Sequence, residues 1–180
     1  GYTVTVPDWT EDIELVEVLV NLKAAIAADG TVSGWSGFDK VMILWEGLGE
    51  IDIEKCGVVI IPVESPEAGE GRRGVANVGG VMKAVTWYEH EVDVWAGMRL
   101  PASGTLEDFM TSDAGVMKFA DAVKTAIRQS TLGDTVREVL IKNAVYSTLG
   151  NLTDNFEYDA IPGVAIRVAV TSATFEAPSS

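Results

Sequence analysis

Apolar and β-branched polar residues alternate in Tyr2-Thr3-Val4-Thr5-Val6, a pattern that fits a short strand or an extended arm pairing with an edge elsewhere. Pro7 ends it. Asp8 and Glu11 then stand at capping-box spacing, and no Gly or Pro follows until Gly30 supplies a stop. Residues 9–29 are therefore predicted to form a helix. At 3.6 residues per turn, Glu14, Glu17 and Asn21 share one narrow stripe. Ile13, Leu15, Val16, Val18, Leu19, Val20, Leu22 and Ile26 cover most of the remaining circumference. Such a helix needs more than one apolar neighbour. Either it is sandwiched inside a two-layer core, or part of its surface meets another subunit.

Residues 31–40 place Gly34, Ser36 and Gly37 around Trp35 and Phe38, which reads as a loop with aromatic anchors. Val41 to Trp45 and Gly57 to Val63 are short branched apolar runs, predicted strands, separated by the acidic linker Glu46 to Lys55. The stretch Ser65 to Gly74 is dense in Gly and charge, so residues 64–77 are expected to be an extended exposed loop. From Val81 to Trp95 a long strand fits, bent near Glu89. Thr105 caps a short helical turn through Met110. Ser112 or Asp113 starts a second main helix with Val116, Phe119, Ala120, Val123 and Ile127 on one face, and Lys124 and Arg128 suit its C-terminal end. Val136 to Thr148 and, after Pro162-Gly163, Val164 to Phe175 are two further strands. The tail at residues 177–180 is expected to fray.

This order predicts an α+β fold, a mixed and mostly antiparallel sheet with two main helices packed largely on one face, preceded by a short N-terminal arm at residues 1–7. No composition break, repeat or low-complexity tract divides residues 1–180, so one domain is expected.

Composition narrows the function. With 13 Lys and Arg against 27 Asp and Glu, the net charge of −14 opposes an electrostatic grip on nucleic acid. No apolar run reaches the roughly 18 residues that cross a bilayer, and the N-terminal residues carry neither a basic start nor a continuous apolar stretch; no membrane partner is expected. The single Cys56 cannot form an intramolecular disulfide, and the single His90 removes most routes to a zinc site or a histidine-based triad.

Candidate chemistry is sparse. Glu89, Glu91 and Asp93 fall at period two on one strand face, with no basic partner nearby in sequence. The row reads as a solvated or lumen-facing surface, with a metal or acid/base site as the sharper alternative. His90 has the opposite parity and reads as a structural or surface residue. Cys56 opens an apolar strand, the ordinary place for a small buried residue. The Gly-rich segment through Arg72-Arg73 matches neither a Walker A sequence nor a dinucleotide fingerprint; it reads equally as an exposed loop of no consequence or as a flexible basic tip suited to a carboxylate-rich partner or a neighbouring copy. Trp9, Trp35, Trp45, Trp87 and Trp95 are explained chiefly by core packing, with interface anchoring as the second use. No cofactor, metal or catalytic set emerges, and the reading is of a protein that assembles rather than an enzyme.

The ordered elements resemble the tail terminator proteins of long-tailed bacteriophages and, more loosely, other head–tail connector proteins. The likeness rests on the helix DWTEDIELVEVLVNLKAAIAAD, the strand GVVIIPV, the loop SPEAGEGRRG, the strand VMKAVTWYEHEVDVW, the helix VMKFADAVKTAIRQS and the final FEYDAIPGVAIRVAVTSATFE. It covers most of the chain as a pattern, without a diagnostic motif. The resemblance implies a homo-oligomeric ring, usually a hexamer, that caps the tail tube, stops its polymerisation and presents a surface to the head-completion or connector protein. It implies location in the virion, with assembly in the host cytoplasm. It carries over no catalytic residues, and the arm and the loop at 64–77 look like additions to the family core.

On that reading Arg72, Arg73, Trp35, Tyr2 and Val4 are the candidate interface residues. Glu89, Glu91 and Asp93 would face the DNA path, which DNA passes without sequence-specific binding. Other neck or minor tail proteins, a small acidic metal-dependent enzyme and a soluble binding module are the competing expectations.

Overall fold

The computed structural model describes residues 15–46, 48–65, 72–130, 132, 136–152 and 158–175. The predicted arm with Tyr2 and Val4, the first turns of the predicted helix and the tail at 177–180 lie outside them. Ten elements follow in order: α1 (Leu15–Ala28), α2 (Gly30–Ser33), β1 (Phe38–Ile43), β2 (Cys56–Glu64), β3 (Arg72–Val78), β4 (Val81–Met98), α3 (Leu106–Thr111), α4 (Val116–Gln129), β5 (Val136–Leu152) and β6 (Tyr158–Phe175). This is the α+β fold expected.

The six strands of the described residues form one sheet in the order β1-β2-β4-β6-β5, with β3 also paired to β4. β4 is the spine. Along one side it pairs with β6 from Val85 to Gly97; along the other, β2 takes its C-terminal half and β3 its N-terminal half. Every pairing is antiparallel except β1 with β2, which is parallel and needs a crossover. The acidic linker supplies that crossover. Its Ile51 and Ile53 are buried against Val59, Trp95 and Ile161 on the sheet face away from the helices, which secures an otherwise polar segment.

The opposite face carries the main core. Val58 and Ile60 of β2, Val92 and Val94 of β4, and Val164, Ile166, Val168 and Val170 of β6 meet Val18, Leu22 and Ile26 of α1 and Phe119, Ala120, Val123 and Ile127 of α4. Period two on the strands and period three to four on the helices place these side chains in one layer. Each such fully buried aliphatic side chain contributes about 1.5–3 kcal/mol relative to leaving it in water.

Several boundaries differ from expectation, each for a local reason. α1 stops at Ala28, and Asp29 caps the short α2 by accepting hydrogen bonds from the Thr31 and Val32 amides at 3.0 Å, so residues 31–40 are not one loop. Ser112 does not start α4, because it closes α3 by donating its amide to Asp108 O; α4 is capped by Gly115. β6 runs straight through Pro162-Gly163. The predicted loop at 64–77 is a correction: β2 continues to Glu64, and Arg72–Val78 is a paired strand. Gly79 and Gly80, both at positive φ (60° and 83°), form the two-residue turn that folds β3 back on β4.

Candidate functional site

The sheet face not covered by helices holds the most organised polar constellation. Asp93 of β4 lies directly opposite Arg167 of β6, and the guanidinium grips both carboxylate oxygens, Nε to Oδ1 at 2.5 Å and Nη2 to Oδ2 at 3.2 Å. Nη1 also donates to Glu91 Oε2 at 3.3 Å. Beside Glu91 on β6 stands Ala169, whose small side chain leaves Lys142 of β5 room to reach across and donate to Glu91 Oε1, with Glu89 Oε2 3.9 Å away. The bulge between Ile141 and Asn143 lets Lys142 turn onto this face.

The carboxylate row is therefore not unpartnered, and this corrects the sequence reading. Three carboxylates face two cations, and the resulting network is half-exposed. The hydrogen bond from Lys142 holds the Glu91 carboxyl below its ordinary value, and Glu91 in turn holds the Lys142 ammonium above its own. Arg167 is raised, chiefly by Asp93. Such a network ties three strands together and leaves Glu91 and Asp93 committed to cations of the same chain. Among the described residues, no group of three or more His, Cys, Asp or Glu side chains is placed to hold a metal ion.

His90 is buried on the helix side, its Nδ1 2.8 Å from Ser65 Oγ. Cys56 is also buried, and desolvation pushes its thiol up to about 11, the opposite of what a nucleophile needs. Trp35 is half-buried with its ring tilted against Phe119, centroids 5.6 Å apart, so it belongs to the edge of the helix–sheet core. Arg73 is exposed in β3, and Arg72 belongs to the same strand.

Exposed apolar side chains gather at several places on the surface of the described residues. β1 and β5 border the sheet, and the outer edge of β5 pairs with no strand among the described residues over 17 positions. Leu140, Val145 and Tyr146 are exposed along it. Val16 and Val20 are exposed on α1, away from the stripe that packs on β1, β2, α2 and α4. The β3–β4 hairpin exposes Val75, Val81 and Met82, and α3 with its preceding loop exposes Leu100, Leu106 and Met110. Sequence reasoning missed the hairpin, although the Gly79-Gly80 dipeptide between apolar runs was a signal for it.

No helix among the described residues is long and apolar enough to cross a membrane. Neither known family models nor curated proteins gave a match to this chain.

Proposed function

We propose that this protein is a structural virion subunit of the tail-terminator type, assembling as a homo-oligomeric ring that caps the phage tail tube, ends its polymerisation and joins it to the head connector. The observation that carries the proposal is the outer edge of β5, 17 residues long, which pairs with no strand among the described residues and carries exposed Leu140, Val145 and Tyr146. An edge of that length with free amides, carbonyls and apolar side chains is a pairing surface, and ring closure covers such edges. The resemblance in element order supports the same reading, as does an acid excess that disfavours gripping DNA.

On this reading the helix-free sheet face lines the channel, with Glu89, Glu91 and Asp93 toward the DNA. Lys142 and Arg167 leave that cluster one net negative charge, so repulsion rests on Glu89 and the overall acid excess. The test is addition of the purified chain to polymerising tail tube protein. Tubes that stop at shorter lengths, each with density at one end in electron micrographs, are expected. Tubes of unchanged length without bound chain would refute the reading.

A further inference from the structure

We propose that the β3–β4 hairpin of one copy docks on the α3 surface of a second copy, so that copies join head to tail. The proposal rests on the assembly reading above and names the contact that builds it. Between Arg72 and Tyr88 the sequence contains Arg72, Arg73 and Lys83 and no acid, a segment of +3 in a chain of −14. Its apolar side chains are open to solvent, Val75 at 63% and Met82 at 64%. The register places Arg73, Val75 and Met82 on one face of the ribbon and Lys83 on the other, with Val81 beside the Gly79-Gly80 turn.

The segment from Leu100 to Gly115 is the complement. It contains Glu107, Asp108 and Asp113 and no base, a segment of −3. Leu100, Leu106 and Met110 are exposed there. Beside them opens a cleft of about 550 Å³ lined by Met98, Leu100, Pro101 and Phe109, with room for a flexible side chain such as Met82; Lys55 and Arg99 also border it, Arg99 being paired with Asp159. Arg73, Lys83, Glu107, Asp108 and Asp113 enter no ion pair among the described residues. A basic apolar strip and an acidic apolar patch thus stand ready on the same molecule.

They cannot meet within one copy. The hairpin turn adjoins Val81 at one end of β4 and α3 follows Met98 at the other, roughly 55 Å apart at ~3.3 Å per residue. Contact between different patches at opposite ends of a molecule is heterologous, the kind that closes into rings or extends into filaments.

Charge exchange tests this. The hairpin variant Arg72→Glu/Arg73→Glu/Lys83→Glu and the α3 variant Glu107→Lys/Asp108→Lys/Asp113→Lys each place like charges at every junction. Light scattering across concentration should show salt-sensitive association of the natural chain, and each variant should need roughly tenfold more protein to associate. An equimolar mixture should recover association, because alternating copies then oppose unlike charges at both junctions. Melting curves establish that each variant is folded, and Val75→Ser/Met82→Ser should weaken association at high salt too.

A natural chain that stays monomeric at every concentration would overturn the contact, as would variants that associate normally or a mixture that does not recover. Should the hairpin variant still cap tubes like the natural chain, the contact falls and the terminator reading stands. Should head-to-tail association occur without any effect on tubes, the reverse holds.

Discussion

Trp95 shows how single residues set this sheet. Its indole, fully buried, lies flat over the strand backbone at Gly97 of β4 and Gly163 of β6, and a Cβ at either position would enter the ring. At Gly163 the added carbon would also come within 2.7 Å of Ala96 O, a backbone atom that cannot step aside. Gly163→Ala is expected to lower stability by about 2–3 kcal/mol, the cost of overpacking a filled core, read from chemical denaturation. A change under about 0.5 kcal/mol would mean that the indole has another seat. Glu91 carries a pH-dependent contribution. Its folded value lies below the ordinary 4.5 because Lys142 donates to it, so the pair's stabilisation is complete above 4.5 and lost as pH falls through the lowered value. Glu91→Gln should therefore destabilise the protein at pH 7 and converge with the natural chain as pH falls below the lowered value of the folded carboxyl. A difference that stays constant with pH would assign the effect to packing instead. The sequence showed the acidic row but not its partners: Lys142 and Arg167 arrive from strands 51 and 76 residues away, and a bulge that no alternation predicts aims Lys142.

At the scale of elements, legibility followed periodicity. The alternation of Val164, Ile166, Val168 and Val170 and the helical spacing of Phe119, Val123 and Ile127 were readable because one face of each element is buried without interruption. β3 was not, because Arg72-Arg73-Gly74 carries no apolar alternation and earns its pairing from a neighbour. Trp87 of β4 lies over Gly74, where a Cβ would collide with the ring. Among the described residues β3 pairs with β4 and with no other strand, so the hairpin's stability is local. Substituting Gly79 and Gly80 by Ala forces left-handed backbone at about 1 kcal/mol per residue. The expected readout is faster hydrogen exchange at β3 amides with the midpoint of global unfolding nearly unchanged. A large drop in that midpoint would show that the hairpin is integral to the core.

For the whole molecule, charge placement matters more than charge total. The acid excess of −14 is unevenly spread: the helix-free sheet face pairs most of its carboxylates with its own cations, while the bases of the hairpin and the acids of the α3 end enter no ion pair among the described residues. Reversing Glu91 or Asp93 would set a cation against Lys142 or Arg167 and disturb three strands, so neither substitution isolates an effect on DNA. Glu89 does. It is half-exposed, sits 3.9 Å from Lys142 without a short hydrogen bond to it, and is the member of the row whose charge is least committed to the fold. On the proposed reading, Glu89→Lys makes the local cluster net positive and gives passing phosphates a point of attraction inside the channel. Particles carrying the variant should assemble normally and eject DNA several-fold more slowly at low ionic strength, with the difference shrinking as salt screens the contact. Ejection at the natural rate from fully assembled variant particles, at every salt concentration, would remove this face from the DNA path and turn the channel search to the opposite side of the ring.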